Sequence, residues 1–151
     1  MTCKNAKSIG NISEAKTLFE FQKYGIQVYL PWGDNERCDM IAEFNGKLNK
    51  IQVKTANEIH NGAIHCYCRS STNHTTNKHY CRYIGQIDYF VFYNQTYDLI
   101  AIVPIEEVGN HFVITLRITP TKNNQSQRTR DFSDFSFDKL FGDINHEQQT
   151  K

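Results

Sequence analysis

The chain has 151 residues, with 17 Lys and Arg against 16 Asp and Glu and a formal net charge of +1. That length suits one domain with a single core, taken here as 1–151, and the near-neutral total says little about partners, which the distribution of charge must indicate instead. No apolar run approaches the roughly 20 residues of a membrane span, no apolar leader follows the N-terminus, and the five cysteines are an odd number, so the expected setting is intracellular (cytoplasmic or organellar) and reducing.

Ile9, Ile12, Ala15, Leu18 and Phe19 recur at helical spacing and Gly25 ends the pattern, which predicts an amphipathic helix over 8–24. A short strand over 26–30 is stopped by Pro31 and the Gly33-Asp34-Asn35 turn. Two strand-like runs, 38–44 and 47–55, flank Asn45-Gly46, the dipeptide best suited to a two-residue hairpin because both turn positions need positive φ. A further strand is expected over 63–68, and the polar stretch 70–79 reads as a surface loop. Strands over 87–93 and 98–103, a helical turn over 105–108 and a strand over 111–118 follow. Pro120 opens a polar basic segment to Arg130; Phe132, Phe135, Phe137, Leu140 and Phe141 then suggest a short helix docking on the core. A frayed tail is expected from about residue 144. This order points to an α/β fold with a central mixed β-sheet flanked by helices.

The hairpin organises the chemistry. With a two-residue loop, paired positions sum to 91, and Asp39 falls opposite Gln52. Side chains alternate along a strand, so Gln52 and Lys54 share a face, which Asp39 joins by cross-strand pairing. Met40, Ala42, Phe44, Ile51 and Val53 form the other, apolar face. Ile41 and Leu48 fall on the polar side, where the first helix is expected to cover them. A carboxylate and an amide oxygen suit Mg²⁺, which prefers oxygen ligands. A nearby ammonium can orient a water or stabilise charge in phosphodiester hydrolysis. Glu14, on the first helix, adds a second carboxylate.

Asp39, followed across a hairpin by Gln52-Val53-Lys54, resembles the PD-(D/E)XK nuclease signature. Tyr29-Leu30-Pro31, Cys38-Asp39-Met40-Ile41, Asn45-Gly46-Lys47-Leu48, Ile51-Gln52-Val53-Lys54-Thr55-Ala56 and the Ser13-Glu14-Ala15 helix start resemble the homing endonucleases of group I introns within that family. The resemblance implies a restriction-endonuclease-like core cutting double-stranded DNA at specific sites. It implies Glu14, Asp39, Gln52 and Lys54 as catalytic residues, with Asp39, Gln52 and Glu14 around Mg²⁺ and Mn²⁺ as a substitute. Cys38 replaces the motif's Pro and Gln52 its second acid; the Gln removes one negative charge, which Glu14 is expected to restore. A homo-oligomer is implied, a dimer or a dimer of dimers, because one site cuts one strand. A Holliday-junction resolvase or restriction endonuclease would use the same core, and a non-cleaving DNA-binding module is the reading outside enzymes.

Charge distribution indicates where a duplex would lie. No acid occurs from Ile59 to Ile87 or from Val108 to Arg130. In the segment 69–82, Arg69, Lys78 and Arg82 are candidate phosphate contacts. In the segment 117–130, Arg117, Lys122, Asn124, Gln125, Gln127, Arg128 and Arg130 combine phosphate-binding and base-reading types, suited to a strand or ribbon in the major groove. Cys66, Cys68, His74, His79 and Cys81 are zinc-ligand types, but Cys-x-Cys spacing favours buried thiols over a zinc-stabilised nucleic-acid binder. Trp32 is expected to pack near the mouth of the site.

Overall fold

The Asn45-Gly46 turn sets the centre of the molecule. Asn45 has φ 54° and Gly46 φ 67°, the pair of positive values that lets a two-residue loop follow the right-handed strand twist. The structure, a computed structural model, describes residues 5–74, 77–120 and 129–143, with the side chains of all but 71–74 and 77–80. Helix α1 (Ala6–Lys23) is followed by strands β1 (Gln27–Tyr29), β2 (Met40–Phe44), β3 (Lys47–Thr55), β4 (Ile59–His60), β5 (Ala63–Tyr67), β6 (Ser70–His74) and β7 (Asn77–Cys81). Then come β8 (Tyr89–Asn94), β9 (Leu99–Pro104), α2 (Ile105–Val108), β10 (Val113–Arg117), β11 (Arg130–Asp131), a 3₁₀ turn (Phe132–Phe135) and α3 (Phe137–Phe141).

The central sheet runs β1-β2-β3-β8-β9. It is antiparallel except for the β3–β8 pair, which makes it the expected mixed sheet. Phe44 pairs with Lys47 and Met40 with Ile51, the register that the hairpin arithmetic requires. One face of the sheet carries Met40, Ala42, Phe44, Ile51, Val53, Val91 and Ile102 against Phe21 of α1, its C-cap Tyr24, and Phe137 and Phe141 of α3. The other face carries Phe90, Phe92, Ala101 and Val103 against Ile64, Cys66, Ile114 and Leu116 of a second, four-stranded sheet ordered β11-β10-β5-β4. The flanking helices are therefore joined by a sheet layer that adds a second core.

Four local expectations are corrected. The face of α1 turned to the sheet is Ser13, Thr17, Glu20 and Phe21, while Ala15 and Phe19 are exposed, Phe19 by 59%. Buried hydroxyls are tolerated because each is bonded: Thr17 Oγ1 donates to the Ser13 carbonyl at 2.8 Å, and Ser13 Oγ shares a 2.6 Å hydrogen bond with Thr55 Oγ1. The helix consequently does not cover Ile41 or Leu48; Ile41 packs toward the second sheet's core, and Leu48 is 57% exposed. The stretch 70–79 is not a loop but the ribbon β6–β7, paired from Ser70–Cys81 to His74–Asn77. A two-stranded ribbon can form through its own backbone bonds without the apolar alternation that marks a half-buried strand. Trp32 is 99% exposed, in the loop after β1 where Gly33 turns with φ 90°.

Strand β4 was not anticipated. Its signal is a second Asn-Gly dipeptide, Asn61-Gly62, with φ 50° and 74°, which pairs His60 with Ala63. A side chain at Gly62 would also meet Thr119 Oγ1 at 1.8 Å. The tail from 144 lies outside the described residues.

Phe21 is fully buried and its ring meets those of Phe44, Phe137 and Phe141 at 5.1–6.4 Å. Phe21→Ala is expected to destabilise the fold by about 3–5 kcal/mol, read as a lower midpoint in urea unfolding; an unchanged midpoint would mean that this aromatic cluster does not carry the helix layer.

Candidate functional site

The site arises where two neighbouring strands differ in length. The β2–β3 ladder stops at Met40–Ile51, while β3 continues to Thr55. Asp39, the residue before β2, donates its backbone N–H to the Ile51 carbonyl at 2.8 Å. Beyond this point β3 has no strand on that side, and a partly buried N–H there needs another acceptor. The Asp39 carboxylate provides it. Its Oδ2 accepts from the Val53 backbone N–H and from Gln52 Nε2, both at 2.7 Å.

Gln52 and Lys54 lie on the face of β3 turned toward the second sheet, beside their parallel neighbours Phe90 and Phe92. Gln52 is buried, and its Nε2 also donates to the Val53 carbonyl at 3.4 Å. Lys54 Nζ donates to Tyr83 Oη at 3.2 Å and interacts electrostatically with Asp39. Glu14 reaches the same place from α1. The Ser13–Thr55 hydrogen bond fixes that helix against the free end of β3, and Gln95 Nε2 adds bonds to the Ile9 carbonyl and Ser13 Oγ at 2.8 and 3.1 Å. The four residues singled out from the sequence are thus brought together, with Glu14 coupled through the field of Asp39.

The electrostatics reflect crowding of acids in a partly desolvated corner. Burial pushes the Asp39 carboxyl above its usual 3.8, against the opposing pull of the Val53 N–H, the Lys54 ammonium and the Gln52 amide. Burial and then the Asp39 charge push Glu14 above its usual 4.5. A cation bound between the two carboxylates would offset the part of the Glu14 shift that comes from the Asp39 charge.

The donor set fits a hard divalent cation. Two carboxylates, an amide and the Val53 carbonyl are all oxygen chemistry, suited to Mg²⁺. The Gln52 amide nitrogen, hydrogen-bonded to Asp39 Oδ2 and the Val53 carbonyl, brings partial positive charge to two oxygens of that set. Turning the amide over would offer its oxygen instead. Among the described residues, no three His, Cys, Asp or Glu side chains are grouped to hold a metal; a Gln and a backbone carbonyl fall outside that set of ligand types. Cys66 and Cys68 are buried thiols, burial pushing Cys68 up to about 12 and Cys66 higher still. Cys81 is exposed at the end of β7, and the side chains of His74 and His79 are outside the described residues.

The expected DNA contacts divide into three groups. Arg82 is exposed, with its guanidinium 4.7 Å from the centre of the Phe112 ring, and the guanidinium of Arg69 lies over Tyr67. Arg117 and Arg130 are part-buried and bonded to backbone acceptors: Arg117 donates to the carbonyls of Thr119 and Asn61, and Arg130 Nη2 donates to the Glu107 carbonyl at 2.8 Å. Lys122, Asn124, Gln125, Gln127 and Arg128 lie outside the described residues, and the side chain of Lys78 does also. Tyr83, contacting Lys54, was missed; its one sequence signal is its place beside Arg82 in an acid-free stretch. Beside the site, a concavity of about 500 Å³ is lined in part by Trp32, Arg37, Cys38, Ile41 and Lys50.

The fold and the family can be compared with known proteins. The fold resembles that of a bacterial homing endonuclease, I-Ssp6803I, with a TM-score of 0.71 over 97% of each chain at 19% sequence identity. No curated protein matches. The family model for the PD-(D/E)XK endonuclease matches residues 4–138, and with nearly the whole chain inside that match, it belongs to the PD-(D/E)XK endonuclease family.

Proposed function

We propose that this chain is a homing-type endonuclease, of the kind encoded in group I introns, that cuts double-stranded DNA at specific sites by Mg²⁺-dependent phosphodiester hydrolysis. The observation that carries the reading is the meeting of Asp39, Gln52 and Lys54 at the overhanging end of β3, with Glu14 beside them. The likeness in fold to a homing endonuclease supports it.

Asp39, Glu14 and the Gln52 amide oxygen would hold Mg²⁺, with Mn²⁺ as a substitute. Bound there, the cation would polarise the scissile phosphate and lower the pKa of a water. Asp39 is held by two N–H donors on one oxygen, which sets the direction of the other. Lys54 places its ammonium near Asp39, where it stabilises negative charge gathering on the phosphoryl oxygens. Arg69, Lys78 and Arg82 on and beside the β6–β7 ribbon would bind phosphates, and the segment 117–130 would supply further phosphate contacts and read bases. One site cuts one strand, so cleavage of a duplex calls for a homo-oligomer, a dimer or a dimer of dimers.

Purified protein with supercoiled plasmid and Mg²⁺ is expected to nick and linearise the DNA, and EDTA to abolish this. Asp39→Asn and Lys54→Ala are each expected to slow cleavage by about 10²–10³-fold or more while duplex binding in Ca²⁺ persists. Wild-type binding without cleavage in either Mg²⁺ or Mn²⁺ would return the chain to a non-cleaving DNA-binding module. Selection of cut sites from a randomised library separates a long pseudo-palindromic homing target from a short restriction site or a junction.

The raised carboxyls make a second prediction, about pH. An acid whose pKa is higher in the folded state than in the unfolded state favours folding as pH falls through that folded value, and its charge costs stability above it. Glu14→Gln and Asp39→Asn are therefore expected to melt no lower than wild type at neutral pH without metal. Mg²⁺ is expected to raise the wild-type midpoint but not that of Asp39→Asn. Since protons compete with the cation, Mn²⁺ affinity measured by calorimetry should begin to fall at a pH above the ordinary carboxylate range. A variant that melts well below wild type, or an affinity flat down to pH 4, would contradict this account.

Arg69→Ala and Arg82→Ala are expected to weaken duplex binding and each to flatten the plot of log affinity against log salt by about one unit; an unchanged slope in both would move the DNA surface elsewhere.

A further inference from the structure

Tyr83 stands out among buried polar groups that the proposed mechanism does not use. It is 5% exposed and lies just past the end of β7, where the ribbon returns to the core. Phe90 meets its ring edge-on, 5.3 Å between centres. Two cations converge on it. The Lys54 ammonium is 3.2 Å from its hydroxyl and 5.2 Å from the ring centre, and the Arg37 guanidinium is 4.3 Å from the ring centre.

Arg37 is in turn held by three bonds to separate points. Its Nη1 donates to Ser70 Oγ at 3.1 Å, its Nη2 to the Arg82 carbonyl at 3.3 Å and its Nε to Gln86 Oε1. Ser70 begins the β6–β7 ribbon and Arg82 follows its end. Arg37 also sits two residues before Asp39. The root of the ribbon, the segment carrying the acid and the ring touching the lysine are thus fastened by one planar guanidinium, whose fixed fork can address several acceptors at once.

We propose that Tyr83 is a positioning residue that holds the Lys54 ammonium beside Asp39, and that Arg37 sets the ring of Tyr83 from the root of the ribbon. A lysine has a flexible four-carbon stem, and an ammonium left to rotate spends only part of its time where charge develops. The hydroxyl of Tyr83 accepts one N–H of Lys54, which leaves two others for Asp39 and a phosphoryl oxygen. The aromatic ring tolerates a second cation because its face carries negative potential. A ribbon engaged on phosphates would steady Arg37 through Ser70 and Arg82, and so steady the lysine.

This inference rests on the nuclease reading and its test separates the two. Tyr83→Phe keeps the ring, its contact with Phe90 and the cation over its face, and removes only the hydroxyl. In single-turnover cleavage of supercoiled plasmid with Mg²⁺, Tyr83→Phe is expected to be slower by about tenfold or more, with duplex affinity in Ca²⁺ within twofold of wild type and the melting midpoint close to it. Arg37→Lys, which keeps the charge but loses the fork, is expected to fall between Tyr83→Phe and wild type. Equal cleavage rates for Tyr83→Phe and wild type overturn the proposal while leaving the nuclease intact. A joint fall in rate, affinity and melting midpoint also overturns it, because the hydroxyl then serves folding. No cleavage by the unmodified chain removes the nuclease reading and this inference with it.

Discussion

The site depends on a mismatch in strand length. A hairpin with equal arms satisfies its inner backbone groups by pairing, but β3 runs past the last β2 pair at Met40–Ile51. The Val53 N–H is left facing the place where a strand would continue, and a partly buried donor without an acceptor costs about 1–3 kcal/mol. Asp39 resolves this with a side-chain oxygen at 2.7 Å. The same carboxylate that completes the backbone bonding of the fold is therefore the one to which the proposed function gives the metal. The position of Asp39 just before β2 is set by its own N–H bond to the Ile51 carbonyl and by the Val53 N–H and Gln52 amide from which its carboxylate accepts.

Helix α1 supports this corner at the expense of its own apolar burial. Ser13, Thr17 and Glu20 face the sheet while Phe19 faces solvent. Hydroxyls in a core are costly unless bonded, and here they are bonded to the helix itself and to Thr55 at the free end of β3. Glu20 is held between Lys16 and Lys23 at 3.1 and 3.0 Å. A stripe of Ile9, Ile12, Ala15 and Phe19 turned to the sheet would bury more carbon. The observed rotation instead ties the helix to the end of β3 and brings Glu14 within the electrostatic reach of Asp39.

What the sequence made legible follows from these constraints. The hairpin, its register and the gathering of Asp39, Gln52 and Lys54 could be read because Asn45-Gly46 dictates the loop and strand periodicity dictates the face. The side of α1 that packs could not, since hydrophobic periodicity is blind to hydroxyls satisfied by partners distant in sequence. The β6–β7 ribbon escaped for a related reason: Ser70-Ser71-Thr72-Asn73-His74 has no apolar alternation, and its pairing lies in the backbone. For Arg117 and Arg130, expected as DNA contacts, the sequence did not show the carbonyls of Thr119, Asn61 and Glu107 to which they donate. Neighbouring sequence does not announce such acceptors.

The amide at position 52 is consistent with the charges around it. Asp39 and Glu14 already hold protons more tightly than usual, chiefly through burial and, for Glu14, through the charge of Asp39. An acid at 52 would place a third negative group in that corner and would withdraw the donor that Asp39 Oδ2 now accepts from Gln52 at 2.7 Å. Without a cation, such a cluster would raise its own pKa values further and strain the free protein. Gln52 can act in both states: its nitrogen steadies Asp39 in the free protein, and its oxygen is available to a cation. In the proposed function the lost negative charge would lower the pull on a cation, and Glu14, arriving from a helix pinned by Ser13 to Thr55, would offset that loss.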